Sequence, residues 1–408
     1  MKKKHVIVIS ASLLLAITVI GFCVQPQIFS RLLESSYEKE VRSLFNKVQT
    51  DVSKLRGFSP PKDIKLEVVS IEFFKSEAKE NLEKSDLLKA QEALYKSLLI
   101  VPKNFSLLDK KVSEAGRTLA ASSGKTLYVV KEYFDPENKR QALRTLAHEY
   151  THILQFDYLQ QNSIQTEDEL RAWTAFIEGE ADLVADLYIS EEMNEDFSPR
   201  IPPSPISKPH DASGGWVLDQ IFAFPYLYGE NFVYQLFQKG GWEEVNRAYH
   251  HIPSSTADIL NPIRYLNGFE PTIPSNPLPV SQGWSLYYPE RLGEYLIRTT
   301  LLQELPPSSV VNASAGWVGD NSTLYLSDNT YLLFWKSIWR DEFSASNIEK
   351  IILDLIKAKG GVELNGNFWD IDGRLIAIKR VEEIVMLIGS SDIHILMEEV
   401  ESEFGSHS

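Results

Sequence analysis

The sequence contains little cysteine: Cys23 is the one such residue among 408. An intramolecular disulfide and a cysteine-based metal cluster are therefore excluded. Basic residues are also few, with 41 Lys and Arg against 56 Asp and Glu and a net charge of -15. Because an acidic chain repels a phosphate backbone, we expect no nucleic-acid partner. The sequence also lacks a Walker loop and a dinucleotide-binding glycine fingerprint, so nothing in it predicts a nucleotide site.

Long apolar runs are scarce as well, and the longest lies at the start of the chain. MKKK precedes an uncharged stretch that runs from residue 6 to residue 24. A spanning helix needs about 17–25 apolar residues, whereas the core of a signal peptide has about 7–15. We therefore expect residues 1–30 to be an uncleaved membrane anchor, with a cleaved signal peptide and a secreted protein as the alternative. Either arrangement would place the remaining chain outside the cytoplasmic membrane.

The remaining chain divides at a proline-rich segment, PTIPSNPLP, at residues 271–279. We predict a mainly helical domain over residues 31–275 and a small α+β domain over residues 280–408, so the fold class is α+β. Helix and strand patterns predict the following elements in the first domain: a helix over 31–57, a strand in KLEVVSIEFF, helices over 77–120, a strand in KTLYVVKEYF, a helix from Asp135 and Pro136 past Gln155, a helix beginning at Thr166, and a helix over 217–250.

The second domain shows strand pairs that alternate with helices. TLYLSDNTYLLFWKSIW predicts two strands around a Ser-Asp-Asn turn, and SASNIEKIILDLIKAKGG predicts a helix that ends at glycine. RLIAIKRVEEIVMLIGS predicts another strand pair, followed by a final helix. Trp317, Trp335 and Trp339 are expected in the core of this domain, with a carbohydrate or peptide platform as the alternative.

LAHEYTHILQ, at residues 146–155, carries two histidines four residues apart. Positions i and i+4 share one face of a helix, so His148 and His152 point the same way. Glu149 lies on the flank, where a general base could reach a zinc-bound water without binding the metal itself. The spacing therefore predicts a zinc site. Five apolar residues form a stripe roughly opposite the histidines: Leu143, Leu146, Tyr150, Ile153 and Leu154.

Catalytic zinc usually has three protein ligands and one open position. The next histidine after His152 comes far too late in the chain, so a carboxylate is the expected third ligand. Glu178 is the strongest candidate, because a carboxylate in an apolar run needs a partner. A buried pair between Glu178 and Arg171 is the alternative, and Glu180 is a weaker candidate ligand. Asp182, one turn after Glu178, could accept the outer N–H of a ligating histidine.

HEYTH followed by EGEAD resembles the glutamate zincins, metallopeptidases whose third zinc ligand is a glutamate on the following helix. Their aminopeptidase-type and compact collagenase-like members carry a Glu-Gly-x-Ala stretch there, which residues 178–181 match, and thermolysin-type members have an aspartate at the position of Asp182. Over about residues 50–350 the chain also resembles exported archaeal and bacterial proteins predicted to be metallopeptidases, in FPYLYGENFVYQLFQKGGW, IPSSTADILNP and SAGWVGDNSTLYL. Asn261 departs from that pattern, which has a histidine there. The resemblance implies a zincin-like first domain with a small edge-strand sheet.

The resemblance also implies a role for Tyr226. In the aminopeptidase-type members, a tyrosine in a Tyr-x-x-Gly stretch stabilises the oxyanion, and residues 226–229 match that stretch. A phenol is a suitable donor to developing negative charge. A core or interface tyrosine is an equally open interpretation, and His250 is another possible donor.

The strand in KTLYVVKEYF precedes the motif helix, where zincins have a sheet edge along which a peptide substrate can lie. Backbone pairing at such an edge would accept an extended chain with little sequence preference. A plain sheet strand is the alternative.

These observations predict a zinc metallopeptidase that acts on peptide or protein substrates. His148, His152 and Glu178 would bind Zn²⁺, Asp182 would orient a ligand, and Glu149 would act as general base. One alternative is a zinc-containing peptide-binding or assembly module at the cell surface with little turnover, and another is zinc-dependent hydrolysis of a non-peptide substrate. Glu149 favours the peptidase, because a pure binding module has no need of a base.

Overall fold

The structure is a computed structural model that describes residues 35–73, 75–76, 85–115, 119–156, 164–210, 214–327, 330–365 and 367–405. About 52% of the described residues are in helices and 17% are in strands, and a sheet domain lies at the C-terminal end. The expected combination of helices and strands is therefore confirmed.

The elements that precede residue 271 are mainly helical. In chain order they are α1 (Ser36–Arg56), β1 (Lys65–Val69), α2 (Asp86–Ser97), α3 (Leu107–Ala115), β2 (Ala120–Ser123), β3 (Thr126–Val130), α4 (Lys139–Phe156), α5 (Glu167–Met193), α6 (Trp216–Arg247), α7 (Thr256–Leu260) and α8 (Pro262–Leu266).

The elements after residue 280 alternate between helix and strand. They are β4 (Leu286–Glu290), α9 (Gly293–Leu301), α10 (Pro307–Ser314), β5 (Trp317–Leu326), β6 (Tyr331–Trp339), α11 (Glu342–Ala358), β7 (Val362–Asn365), β8 (Phe368–Ile371), β9 (Arg374–Val381), β10 (Ile384–Ser390) and α12 (Ile393–Gly405).

The first sheet has three strands in the order β1-β3-β2, with β1 parallel and β2 antiparallel to β3. The strand predicted in KTLYVVKEYF is confirmed as β3, but its expected position at the sheet edge is wrong. β3 pairs with a strand on each side, and residues 127–130 are buried, as in a strand covered on both faces. The two edge positions belong to β1 and β2, and β2 begins at Ala120, the last residue of the stretch predicted to be helical.

Helices α1 and α4 pack together beside this sheet. α1 begins with a capping box, in which the Ser35 hydroxyl accepts the Glu38 backbone N–H and the Glu38 carboxylate accepts that of Ser35. All five residues predicted as the apolar stripe of α4 are at most 3% exposed. This packing turns the opposite face of α4, which carries the two histidines, away from the sheet core.

The predicted start of α4 at Asp135 is wrong. Asp135 Oδ1 accepts the Glu137 backbone N–H at 3.0 Å, so this aspartate closes a turn before the helix. Asn138 takes the capping position, and its side-chain oxygen accepts the Gln141 backbone N–H at 3.4 Å. The prediction failed because Asp135 and Asn138, three residues apart, can both form Asx-type turns, and the helix begins after the second of them.

The predicted start of α5 at Thr166 is confirmed. The Thr166 hydroxyl accepts the Glu169 backbone N–H at 3.3 Å, and the Glu169 carboxylate accepts the Gln165 backbone N–H at 2.7 Å. α5 has 27 residues and is buried on nearly all sides between α4 and α6. The helix predicted over 217–250 is α6, which bends at Gly240 and Gly241.

The second sheet has seven strands in the order β4-β5-β6-β10-β9-β8-β7, and all neighbouring strands are antiparallel. Both predicted strand pairs are confirmed, as β5–β6 and β9–β10, although turn residues 328–329 lie outside the described residues. The predicted helix between them is α11. Trp317, Trp335 and Trp339 are each at most 4% exposed, which confirms their predicted place in the core.

The two predicted domains share one hydrophobic core, which includes Leu94 of α2, Phe176 of α5 and Leu296 of α9 together with Trp335 of β6. The proline-rich segment 271–279 packs on β5, where the Thr272 N–H donates to the Val318 carbonyl at 3.1 Å. The domain boundaries at residues 275 and 280 stay a prediction.

The expectation of a single-pass membrane protein must be corrected. Across the described residues, no helix is both long enough and apolar enough to cross a bilayer. The stretch on which that expectation depended, residues 6–24, lies outside the described residues.

Candidate metal centre

Three predicted ligands meet between α4 and α5. His148 Nε2 is 3.1 Å from His152 Nε2 and 3.2 Å from Glu178 Oε2. His152 Nε2 is 3.4 Å from the same carboxylate oxygen. Two nitrogens and one oxygen thus form a nearly equilateral triangle, and this group could hold a metal ion.

The size of this triangle fits a tetrahedral metal site. Bonds of about 2.0–2.2 Å at tetrahedral angles place neighbouring ligand atoms about 3.3–3.6 Å apart. The three observed separations, from 3.1 to 3.4 Å, lie at or just below this range. All three side chains are also largely buried, so their donor atoms are held in place rather than free to turn into solvent.

Asp182 fixes the ring of His148. The His148 Nδ1 atom lies 3.0 Å from Asp182 Oδ1. An ionised carboxylate can only accept, so Nδ1 carries a proton towards Asp182, and Nε2 is the nitrogen that can bind a metal once its own proton is displaced. Burial opposes a charge on Asp182, but the His148 hydrogen bond and nearby cations hold its pKa below the usual range. The structure therefore places Asp182 where the sequence analysis expected it.

Two arginines hold Asp182 in turn. Arg144 Nη2 donates to Asp182 Oδ1 at 2.8 Å, and Arg200 Nη1 donates to Oδ2 at 3.2 Å. Arg200 lies in the proline-rich stretch 198–210 and also pairs with Glu230 at 3.0 Å. Neither arginine was among the residues predicted from the sequence. Arg144 could have been found, because it is four residues before His148 on the same helix face.

Gln155 fixes the ring of His152 and was also missed. The His152 Nδ1–H group donates to Gln155 Oε1 at 2.7 Å. The Gln155 amide nitrogen donates to the Ile177 carbonyl at 2.9 Å and to Glu180 Oε2 at 3.1 Å. These two acceptors set the orientation of the amide, so its oxygen faces the imidazole. Both histidines thus present Nε2 to the same point.

The alternatives for Glu178 and Glu180 separate clearly in the structure. Arg171 Nη2 lies 3.6 Å from Glu167, while the close partners of Glu178 are the two histidines. Burial opposes a charge on Glu178, but the histidines lower its pKa to about 2. Glu180 points away from the centre and forms a fully buried ion pair with Arg56 at 2.5 Å.

Glu149 lines the same cavity as the ligands. Burial raises the pKa of its carboxyl group, and the positive charges of the two histidines act against that rise. The Ser122 hydroxyl of β2 lies near this carboxylate and also acts to lower its pKa. The carboxylate lies beside the metal ligands without belonging to the triangle.

Tyr226 of α6 also lines this cavity, and its side chain is 44% exposed. The negative charge of Glu178 is the main cause that raises the pKa of its phenol well above the ordinary value of 10. The tyrosine is close to Glu178 because α5 and α6 cross at Gly179 and Gly229. His250, the other predicted donor, is exposed and does not line the cavity.

The cavity that contains these groups has a volume of about 510 Å³. Ala120 and Ala121 of β2 form part of its wall, and β2 is the edge strand of its sheet. Within the described part of the chain, no strand pairs with the outer edge of β2. Beyond the ligands, the cavity extends along α5 to Arg171 and to Lys111 of α3.

Comparison with known proteins gives one family match. A sequence profile described as a domain of unknown function, DUF8575, matches residues 287–397. These residues belong to the C-terminal sheet region and lie outside the metal ligands. No curated protein and no solved structure matches the chain.

Proposed function

We propose that this protein is a zinc-dependent hydrolase of peptide bonds. One observation carries the proposal: His148, His152 and Glu178 bring three donor atoms within 3.4 Å of one another, with Glu149 beside them in an open cavity. Two imidazole nitrogens and one carboxylate oxygen are a ligand set typical of catalytic zinc. A site that only stabilises the fold would more often be closed by a fourth side chain.

When bound, Zn²⁺ would supply Lewis acidity, which polarises a peptide carbonyl and makes water more acidic. Asp182 and Gln155 orient the two imidazoles by accepting their Nδ1 protons. The ligand atoms are thus positioned before substrate binds.

Glu149 is the group placed to move protons. As general base it accepts a proton from the attacking water, and it later donates that proton to the amine that leaves when the C–N bond breaks. Burial raises its pKa, which makes the protonated form easier to reach at neutral pH. The positive charges of His148 and His152 act against that rise, so the carboxylate can also lose the proton again.

Tyr226 is the candidate donor to the carbonyl oxygen that becomes negative during water attack. Its phenol is beside Glu178 and exposed to the cavity. Because Glu178 and burial keep the phenol protonated, it can donate a hydrogen bond at any physiological pH. This role makes Tyr226 a contributor to the rate, with no part in metal binding.

The edge strand β2 supports a peptide as the substrate. Its outer edge borders the cavity, and an extended chain could pair with its backbone N–H and C=O groups. Such pairing would hold a peptide across the cavity that contains Glu149. We therefore assign the substrate-binding role to β2, Ala120–Ser123, instead of to the strand in KTLYVVKEYF.

The test compares wild-type protein with Glu149→Gln, using zinc-loaded samples and an unfolded protein such as casein. The variant should keep its zinc, and its cleavage rate should be at least about 100-fold lower than that of wild type, because a glutamine amide cannot accept the proton. Glu137→Gln, an exposed glutamate before the same helix, serves as the matched control. Equal cleavage by wild type and Glu149→Gln would contradict the proposal, and peptide binding without any cleavage would indicate a binding module.

A further inference from the structure

The end of the cavity that is remote from the metal ligands contains two buried cations. Arg171 of α5 is 6% exposed and Lys111 of α3 is 5% exposed, and both line the cavity. Arg171 precedes Glu178 by two helical turns, so the two side chains leave the same face of α5. The proposed mechanism uses neither cation.

A short chain of hydrogen bonds joins the two cations. Lys111 Nζ donates to Gln91 Oε1 at 3.0 Å, and Gln91 Nε2 donates to the Tyr95 hydroxyl oxygen at 3.1 Å. Arg171 Nη2 donates to the same hydroxyl at 2.9 Å. Tyr95 thus accepts twice, which leaves its own proton available to donate. All four side chains line the cavity.

This group of side chains has more donors than acceptors. Arg171 Nη1 is buried and has no hydrogen-bond partner. Among the described residues, Gln91 is the hydrogen-bond partner of the Lys111 ammonium, and no carboxylate lies within ion-pair distance. Burial lowers the pKa of the Lys111 amine, so an anion bound beside it would favour the protonated ammonium, which has three protons to donate. Buried donors of this kind are costly unless an acceptor fills the site.

The nearby carboxylates do not balance both cations. Glu167 Oε2 forms an ion pair with Arg171 Nη2 at 3.6 Å, a distance longer than a hydrogen bond, and Arg171 Nη1 stays without a hydrogen-bond partner. Burial, together with the charge of Glu167, raises the pKa of Glu290, and the oxygens of Glu290 already accept from the backbone N–H groups of Glu167 and Arg291. Glu114 also lines the cavity, but it pairs with Lys110 at 3.0 Å.

We propose that Arg171, Lys111 and Tyr95 form a subsite that binds a carboxylate group of the peptide substrate. This inference rests on the proposed peptidase function, which it deepens by naming the substrate class. The helix rises about 10 Å between Arg171 and Glu178, the length of about three extended residues. The carboxylate therefore belongs to a residue within about three positions of the scissile bond.

Two sources could supply this carboxylate: the free C-terminus of a peptide or an Asp or Glu side chain. Three kinds of N-acetylated, unlabelled pentapeptide distinguish them, with binding measured by isothermal titration calorimetry. One is neutral with a free C-terminal carboxylate, one is amidated with an internal Glu scanned along the peptide, and one is neutral and amidated. Binding is measured to zinc-loaded Glu149→Gln, so that no result depends on turnover.

We expect at least one acidic peptide to bind about tenfold or more tightly than the neutral amide, since hydrogen bonds to charged groups are stronger than neutral ones. Which acidic peptide binds identifies the source. Lys111→Met and Arg171→Gln, each added to Glu149→Gln, should reduce this preference to about threefold or less. Lys110→Met is the matched control. Lys110 directly precedes Lys111 in the sequence but pairs with Glu114 and Asp219, so this variant should keep the preference for acidic peptides.

The outcomes separate the two proposals. Equal binding of all three peptides, or a preference unchanged in both folded variants, would overturn the carboxylate subsite. If wild-type protein cleaves the neutral amide as fast as the acidic peptides, the subsite fails while the peptidase stands. If acidic peptides bind preferentially but nothing is cleaved, the subsite stands while the peptidase fails. Thermal unfolding of each variant shows whether it is folded, and Lys111→Met decides the question if Arg171→Gln is not.

Discussion

Gly179 of α5 and Gly229 of α6 lie in backbone contact. A Cβ atom added to Gly179 would be 2.1 Å from the Gly229 carbonyl carbon, and one added to Gly229 would be 2.1 Å from the Ala175 carbonyl oxygen. These distances are far below any real contact, so the two helices can cross this closely only without side chains. The crossing sets Glu178, next to Gly179, beside Tyr226, one turn before Gly229.

Gly229→Ala should therefore push α5 and α6 apart. We expect a loss of stability of about 3 kcal/mol, together with a fall in cleavage rate, because Tyr226 moves away from Glu178. Thermal unfolding and cleavage of casein measure the two effects. Gly389→Ala is the control, since its new Cβ would have ordinary contacts of 3.7–3.8 Å. A Gly229→Ala protein as stable and active as wild type would contradict the role of this contact.

Gln155→Leu should weaken zinc binding by about 10–100-fold, the usual effect of removing a group that orients a ligating histidine. His152 would lose the acceptor for its Nδ1 proton and could turn or change tautomer. Competition with a chromogenic chelator measures the affinity. Gln141→Leu, an exposed glutamine on the same helix, should bind zinc like wild type. Equal affinity in all three proteins would show that Gln155 does not position His152.

Asp182 and its neighbour Asp186 provide a sharper comparison. Both accept from Arg144, at 2.8 and 2.6 Å, and both pair with Arg200 at 3.2 Å, but Asp182 alone contacts His148 among these two. Asp182→Asn should lower zinc affinity by about 10–100-fold, whereas Asp186→Asn should change it by less than about threefold. Equal losses in the two variants would mean that the arginine network, and not the contact to His148, supports the metal site.

Zinc binding should depend steeply on pH. Burial lowers the pKa of His148, but its hydrogen bonds to Asp182 and Glu178 and their charges raise it to about 10 in the metal-free protein. Zinc must displace that proton, so its apparent affinity should rise about tenfold per pH unit between pH 7 and 8. Chelator competition across this range measures the slope, and a flat profile would contradict a protonated His148.

The same pKa shift predicts how the metal-free fold responds to pH. The folded-state pKa of His148 lies above the ordinary value of 6.5, so protonation stabilises the fold. This contribution is complete below about pH 6.5 and is lost as pH rises through 10. The melting temperature of metal-free protein should therefore fall between pH 7 and pH 10, and His148→Gln should remove part of that fall. The opposite trend in wild type, a rising melting temperature, would contradict the assignment.

The helix that carries the histidines could be predicted because its pattern is strongly periodic. The apolar stripe around Leu146 and Tyr150 fixes which face is buried, and the histidines follow on the other face. Glu178 could also be found, since a carboxylate within an apolar run needs a partner. The predicted start of α4 was wrong because Asp135 and Asn138 are both good capping residues, and local sequence preference alone does not distinguish them.

The rest of the site could not be derived from local patterns. Gln155 lies on the buried face of α4, where a glutamine has no periodic signature. β2 is short and consists of alanines and serines, so its strand pairing depends on β3 rather than on its own propensity. The Gly179–Gly229 contact and the Lys111–Arg171 pair join residues that are distant in sequence, and only the packed helices bring them together.

The metal centre is tested most directly by anomalous diffraction from crystals of the zinc-loaded protein, measured on both sides of the zinc absorption edge. The account predicts one strong anomalous peak at about 2.0–2.2 Å from His148 Nε2, His152 Nε2 and a Glu178 carboxylate oxygen, with Glu149 nearby but unbound. A peak elsewhere in the molecule, or no peak between α4 and α5 at full zinc loading, would contradict it.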